Sequence, residues 1–127
     1  MEPLIIAPTD DTPEIIFDKD KGQFLISGKS LPEDVIEFYR PVFSWLERYA
    51  SNPREETLLK VKIFYFNSAS QRAINELFSI LSRISIKDKI VNVEWHYHEE
   101  DDEMLEAGAE YAELSNLPFR YISYVGE

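Results

Sequence analysis

The stretch Phe64-Tyr65-Phe66-Asn67-Ser68-Ala69-Ser70-Gln71-Arg72 decides how this chain is read. It closes a long strand, Thr57 to Phe66, in which Leu59, Val61, Ile63 and Tyr65 face one way. Lys60 and Lys62 face the other way, and that face turns apolar at Phe64 and Phe66. Small polar residues follow, and then Ala73, Ile74, Leu77, Phe78, Leu81 and Ile84 recur at helical spacing over residues 69–86. A strand therefore hands over directly to a helix. Ser68-Ala69-Ser70-Gln71 fits a capping box, with Ser68 as cap and Gln71 reaching back. Backbone N–H groups are unpaired at a helix start and the dipole is positive there. The same turn therefore suits an anion, including a phosphate carried on the chain itself.

Upstream, residues 1–13 hold Pro3, Pro8 and Pro13 around Leu4-Ile5-Ile6, which predicts an extended arm with one short edge strand. Glu14 to Phe17 and Gln23 to Ser27 are apolar runs joined by a charged segment ending in Gly22, a β-hairpin with a longer loop. Ser30-Leu31-Pro32-Glu33 reads as a helix start, with Ser30 as cap and Pro32 in the first turn. Val35, Tyr39, Val42, Leu46 and Tyr49 continue the helix, with Ile36, Phe43 and Ala50 beside them. Pro41 should kink or split it, and Asn52-Pro53 ends it. Trp45 lies off the main stripe; packing against the core is the better reading and an interface anchor the other.

Downstream, Ile90 to His98 alternates cleanly, with Val91, Val93, Trp95 and Tyr97 on one face and Asn92, Glu94, His96 and His98 on the other. A strand buried on both faces would not alternate in this way. Asp101 to Leu114 forms a third helix, with Met104, Leu105, Ala109, Tyr111 and Ala112 inward, and Gly108 either weakens it or permits close packing. Phe119 to Val125 is a last strand. The order is β-hairpin, α, β, α, β, α, β. Right-handed crossovers place all three helices on one face if the strand order keeps advancing in one direction. The expected fold is α/β, bordering on α+β: a two-layer, mixed sheet with an N-terminal hairpin and about three helices behind it, in a single domain over residues 1–127.

The chain carries 13 Lys and Arg against 24 Asp and Glu, a net charge of −11. That argues against nucleic acid or an anionic membrane as the main partner, since both repel an acidic surface. With no cysteine, disulfides, thiolate catalysis and Cys-ligated zinc are excluded. Residues 1–8 lack the features of a signal peptide and no apolar stretch reaches the length of a membrane span, so a cytoplasmic protein is expected.

Chemistry is sparse elsewhere. His96 and His98 share a strand face beside Glu94 and the acidic run 99–103, so a metal site is conceivable, but a compact third-ligand motif is missing. The acidic run itself is most simply the negative first turn of the third helix. Among four glycines there is no P-loop, no G-x-G-x-x-G and no G-x-S-x-G elbow. An enzyme and a cofactor are therefore not expected. At the Asn67–Ser70 turn, plain capping and phosphorylation both remain open. A phosphate on Ser68 would be stabilised by the helix end, and Arg72, one turn on, could pair with it.

Several motifs together resemble the SiaC family of bacterial regulatory phosphoproteins. They are the aromatic-rich strand ending in Asn67-Ser68-Ala69-Ser70, Thr12-Pro13-Glu14-Ile15, Gly28-Lys29-Ser30-Leu31-Pro32-Glu33, Trp95-His96-Tyr97, and Asp101 to Gly108. The resemblance covers essentially the whole chain. It implies a STAS-like fold and a partner switch in which a kinase phosphorylates the position matching Ser68 and a PP2C-type phosphatase removes the phosphate. It further implies that the unphosphorylated form binds and activates a diguanylate cyclase, which links the switch to cyclic-di-GMP and biofilm formation. The acceptor here is Ser rather than Thr, and Ala69 replaces a family serine, with Ser70 as a backup acceptor. The rival readings are an unmodified protein-interaction module and a small metal-dependent enzyme using His96 and His98.

Overall fold

The computed structural model describes residues 1–126. Six strands make one sheet in strictly sequential order: β1 (Leu4–Ile6), β2 (Glu14–Asp18), β3 (Gln23–Ser30), β4 (Glu56–Phe66), β5 (Ile90–His98) and β6 (Phe119–Tyr124). The first three pair antiparallel and β3 to β6 pair parallel. Three helices, α1 (Val35–Ser51), α2 (Ser68–Ser85) and α3 (Asp102–Ser115), make the parallel crossovers. Because the order never reverses, the helices share one face and the other face stays open, the STAS-like arrangement the resemblance implied.

The core fills the space between sheet and helices. Phe17 and Phe24 pack against Trp45 and Tyr49 of α1, with ring centroids 5.1 to 6.1 Å apart. Under α2 and α3, Phe78, Trp95, Tyr111 and Phe119 form a second aromatic cluster. Trp45 is buried, and its Nε1 donates to the Glu2 carbonyl at 2.8 Å, pinning the N-terminal arm. The packing reading of Trp45 therefore holds.

Five local expectations are corrected. Helix α1 starts at Val35, capped by Asp34, whose carboxylate accepts from the Glu37 N–H at 3.1 Å. Ser30 instead ends β3 and is fully buried, so its hydroxyl serves the interior rather than a cap. Helix α1 also runs unbroken through Pro41: Pro41 and Glu37, the residue whose carbonyl loses its donor, are both exposed, so water can take that bond. On the same helix, Ile36 is not beside the core but 69% exposed. In α3 the inward stripe is Met104, Gly108, Tyr111 and Ser115, and Ala109 faces solvent. Gly108 lies so close to the Trp95 indole that an added Cβ would sit 2.6 Å from Cδ1, which makes close packing the glycine's role.

The fifth correction concerns β4. Thr57, Leu59, Val61 and Ile63 are buried in alternation, but Tyr65 is exposed and Phe66 is buried. The cause is a bulge: Gly28 pairs with Ile63 and Lys29 with Tyr65, so Phe64 is an extra residue without a partner on β3. The pleat changes phase there. Phe64 and Tyr65 both remain about half exposed, at 54% and 52%.

Candidate functional site

The turn from β4 into α2 sits at the carboxyl edge of the parallel strands. Asn67, not Ser68, is the cap. Its backbone is extended and its side-chain oxygen accepts from the Ser70 N–H at 2.8 Å. Its carbonyl accepts the first helical bond from the Gln71 N–H at 2.9 Å. The expected capping box on Ser68 and Gln71 is therefore displaced by one residue, because the Asn side chain claims the N3 donor first. Ser68 becomes the first helical residue, with its side chain exposed.

The second hydroxyl of the turn points the other way. Ser70 is fully buried. Its hydroxyl donates to the Ser30 carbonyl at 3.0 Å and accepts from the Ser30 hydroxyl at 2.9 Å. Ser30 in turn lies 2.6 Å from the hydroxyl of Tyr39, which burial pushes up to about 12 despite the Ser30 hydrogen bond. Tyr111 closes the turn from the α3 side by donating to the Gln71 carbonyl at 2.9 Å. Burial also raises Tyr111, so both phenols stay protonated donors. The backup role for Ser70 does not fit this burial, since a kinase could reach its hydroxyl only by opening the seam between α1, α2 and β3.

Around Ser68 the surface is a groove of about 570 Å³ between α2 and α3. Gln71, Arg72 and Asn75 line one wall, and Glu103, Glu106, Glu110 and Tyr111 the other. Gln71 and Arg72 are both exposed, and Arg72 makes no ion pair among the described residues. Arg72 also borders a second, more apolar groove of about 460 Å³ formed by Val35, Ile36, Phe43, Ala69 and Ala73 between α1 and α2. The Asn67–Arg72 turn thus separates an acidic groove from an apolar one. The sequence did not single out Glu103, Glu106 and Glu110 as neighbours of Ser68; only the packing of α3 against α2 brings them there.

The histidines are not joined into a metal centre. His96 Nε2 lies 3.3 Å from Glu94, while His98 Nδ1 accepts from the Glu100 N–H at 3.0 Å and its ring packs edge-on against Tyr124. No group of three or more potential metal ligands is assembled among the described residues. Partial burial lowers the pKa of His96, with the nearby Lys62 and Lys60 adding to the fall and the Glu94 hydrogen bond opposing it. Among the described residues no helix is long and apolar enough to cross a membrane.

Comparison with known proteins agrees with this geometry. A family profile described as SiaC family regulatory phosphoprotein matches residues 6–124. An uncharacterized protein of Pseudomonas aeruginosa (strain UCBPP-PA14) is 28% identical over 119 residues, which is 94% of each chain. The crystal structure of apo-SiaC from Pseudomonas aeruginosa superposes with a TM-score of 0.88 at 27% identity, covering 96% of this chain and 99% of that one. A chain in the crystal structure of the diguanylate cyclase SiaD in complex with its activator SiaC, from the same organism, matches with a TM-score of 0.89 at 26% identity, covering 95% of this chain and 99% of that one.

Proposed function

This chain belongs to the SiaC family of regulatory phosphoproteins, and from that premise we propose that it is a non-enzymatic signalling adaptor switched by reversible phosphorylation of Ser68. The observation that carries the proposal is the division of labour in one turn: Ser68 is exposed and Ser70 is fully buried. A modifying enzyme can reach the first hydroxyl without unfolding anything.

The phosphate acts by placing charge, not by remaking the helix end. Asn67 caps α2, and Ser70 and Tyr111 anchor its first turn, all without the Ser68 hydroxyl. A phosphoserine adds roughly −1.5 to −2 charges near neutral pH. At the first helical position it gains the dipole, about 0.3–1 kcal/mol at an exposed site, and the Arg72 guanidinium. Against this stand the carboxylates of Glu103, Glu106 and Glu110 across the groove. These terms oppose one another, and the surface a partner meets becomes strongly anionic.

By likeness to the SiaC that activates SiaD, the partner of the unphosphorylated form is a diguanylate cyclase, which places this chain in cyclic-di-GMP and biofilm control in the cytoplasm. A Ser/Thr kinase and a PP2C-type phosphatase set the state of Ser68. The test is binding of the cognate cyclase by three forms of the chain. Ser68→Ala should bind like the unmodified protein, while Ser68→Asp and kinase-treated protein should bind poorly. Equal binding by Ser68→Ala and Ser68→Asp, or phosphate found elsewhere by mass spectrometry of the kinase-treated chain, sinks the proposal.

A further inference from the structure

The ladder between β4 and β5 ends at Val61 and Trp95, yet β4 continues to Phe66, held by β3, and β5 continues to His98, held by β6. The two halves of the sheet therefore part at the carboxyl ends of two parallel strands. The parted strand ends leave side chains and backbone groups converging on open space, which suits a small ligand. On the open face this parting forms a crevice of about 400 Å³ lined by Ser27, Lys62, Phe64, His96 and Tyr124. It is on the side of the sheet away from the helices and is distinct from the Ser68 groove.

The crevice holds one cation, Lys62, with Glu94 3.3 Å from its His96 and Glu14 in register with its Ser27. The chain has a net charge of −11, yet Glu94 sits in register between Lys60 and Arg120. Lys62, one step further along β4, has no acidic partner among the described residues. A lone cation without an ion-pair partner inside an acidic field attracts a compact anion and disfavours a large one, whose remaining charge would meet the acidic surroundings. The apolar walls are aromatic: Phe64 is half exposed because of the bulge, and the Tyr124 ring is steadied edge-on by His98, 5.6 Å away. Phe64 thus presents ring surface to the crevice and not to the core.

We propose that this crevice is a second binding site, for an aromatic anion about the size of a nucleoside monophosphate, with Lys62 and His96 at its charged end and Phe64 and Tyr124 along its ring. Cation and ring surface together recognise a ligand that carries both features. The volume lies in the usual range for small-ligand sites, roughly 300–1,000 Å³.

The probes are AMP, adenosine and inorganic phosphate, titrated into the full chain and followed by amide NMR shifts. AMP should move the resonances around Gly28, Lys62 and His96, and the two half-ligands should bind more weakly. Lys62→Glu should weaken AMP binding by about tenfold or more, the loss of one charge-assisted contact, and Phe64→Ser should weaken it several-fold. Ser68→Ala should leave it unchanged. The spectrum of each variant also reports whether it is folded. Absence of localised shifts with AMP, or binding undiminished in folded Lys62→Glu, overturns the proposal. Phosphate binding as tight as AMP overturns its aromatic half. Shifts at the same residues with a polyglutamate peptide but not with AMP overturn it in favour of a protein partner.

Discussion

The hydroxyl of Ser70 donates to the backbone carbonyl of Ser30 at 3.0 Å, tying the first turn of α2 to the end of β3 inside the protein. Replacing Ser70 by Ala leaves the Ser30 hydroxyl only Tyr39 as a partner, so one of their two protons loses its acceptor. A buried group left unsatisfied costs about 1–3 kcal/mol. Ser68→Ala, at an exposed position outside this network, should stay within about 0.5 kcal/mol of the native chain. Urea midpoints of the two variants measure the difference, and equal midpoints would show that the buried hydroxyls do not hold the turn.

Gly108→Ala should destabilise the protein. The added methyl would lie 2.6 Å from the Trp95 ring, and that ring cannot slide away freely because its Nε1 donates to the Met104 carbonyl at 2.8 Å. Overpacking costs roughly 1–3 kcal/mol, against a helix-propensity gain of about 1 kcal/mol for Gly to Ala. The expected result is a lower melting temperature. A rise would mean that α3 shifts away from β5 at little cost.

Alkaline stability should report Tyr39. Its folded pKa is about 12 against an ordinary 10.0. Between those values the unfolded chain binds fewer protons than the folded one. The contribution is therefore complete below pH 10 and is lost as pH rises toward 12, by about 2–3 kcal/mol. Tyr39→Phe should be less stable at neutral pH, where its bond to Ser30 is missing, and should lose less on going to alkaline pH. Unfolding free energies measured across pH 8–12 for both proteins test this, and parallel curves would remove Tyr39 from the account.

Arg72 should be felt by a phosphate on Ser68. In phosphorylated protein, Arg72→Ala should raise the second pKa of the phosphoserine, ordinarily about 6, by roughly half a unit, a small effect suited to an exposed pair. A phosphorus NMR titration reads it directly. An unchanged value would leave the helix end alone as the stabilising partner.

Most elements could be read from periodicity because the open face makes the strands alternate: Ile90–His98 is the clearest case, and the structure has the same bounds. The helices were legible from their apolar stripes. What failed were positions where one side chain competes with another for the same backbone group. Asn67 takes the Ser70 N–H with its side chain and the Gln71 N–H that a Ser68 cap would need with its carbonyl, and Asp34 caps α1 while Ser30 is drawn inside by Tyr39 and Ser70. The two caps are local, but the pairing that draws Ser30 and Ser70 inside joins residues distant in sequence, which spacing does not encode. The acidic wall opposite Ser68 stayed hidden for the same reason: Glu103, Glu106 and Glu110 look like ordinary exposed helix positions until α3 is laid beside α2.

The extra residue at Phe64 has a bearing on how such chains can diverge. Phe66 fills the interior and Asn67 begins the cap only because the pleat skips a beat just before them. A regular pleat through all eleven residues would present Tyr65 inward and send Phe66 out, and the hydroxyl now facing solvent would be carried to the opposite side of the layer. Dropping the extra letter would instead leave Ile63 inward, Tyr65 outward and Phe66 inward, so a relative can lose this residue and keep the strand and the Ser68 turn on their present sides.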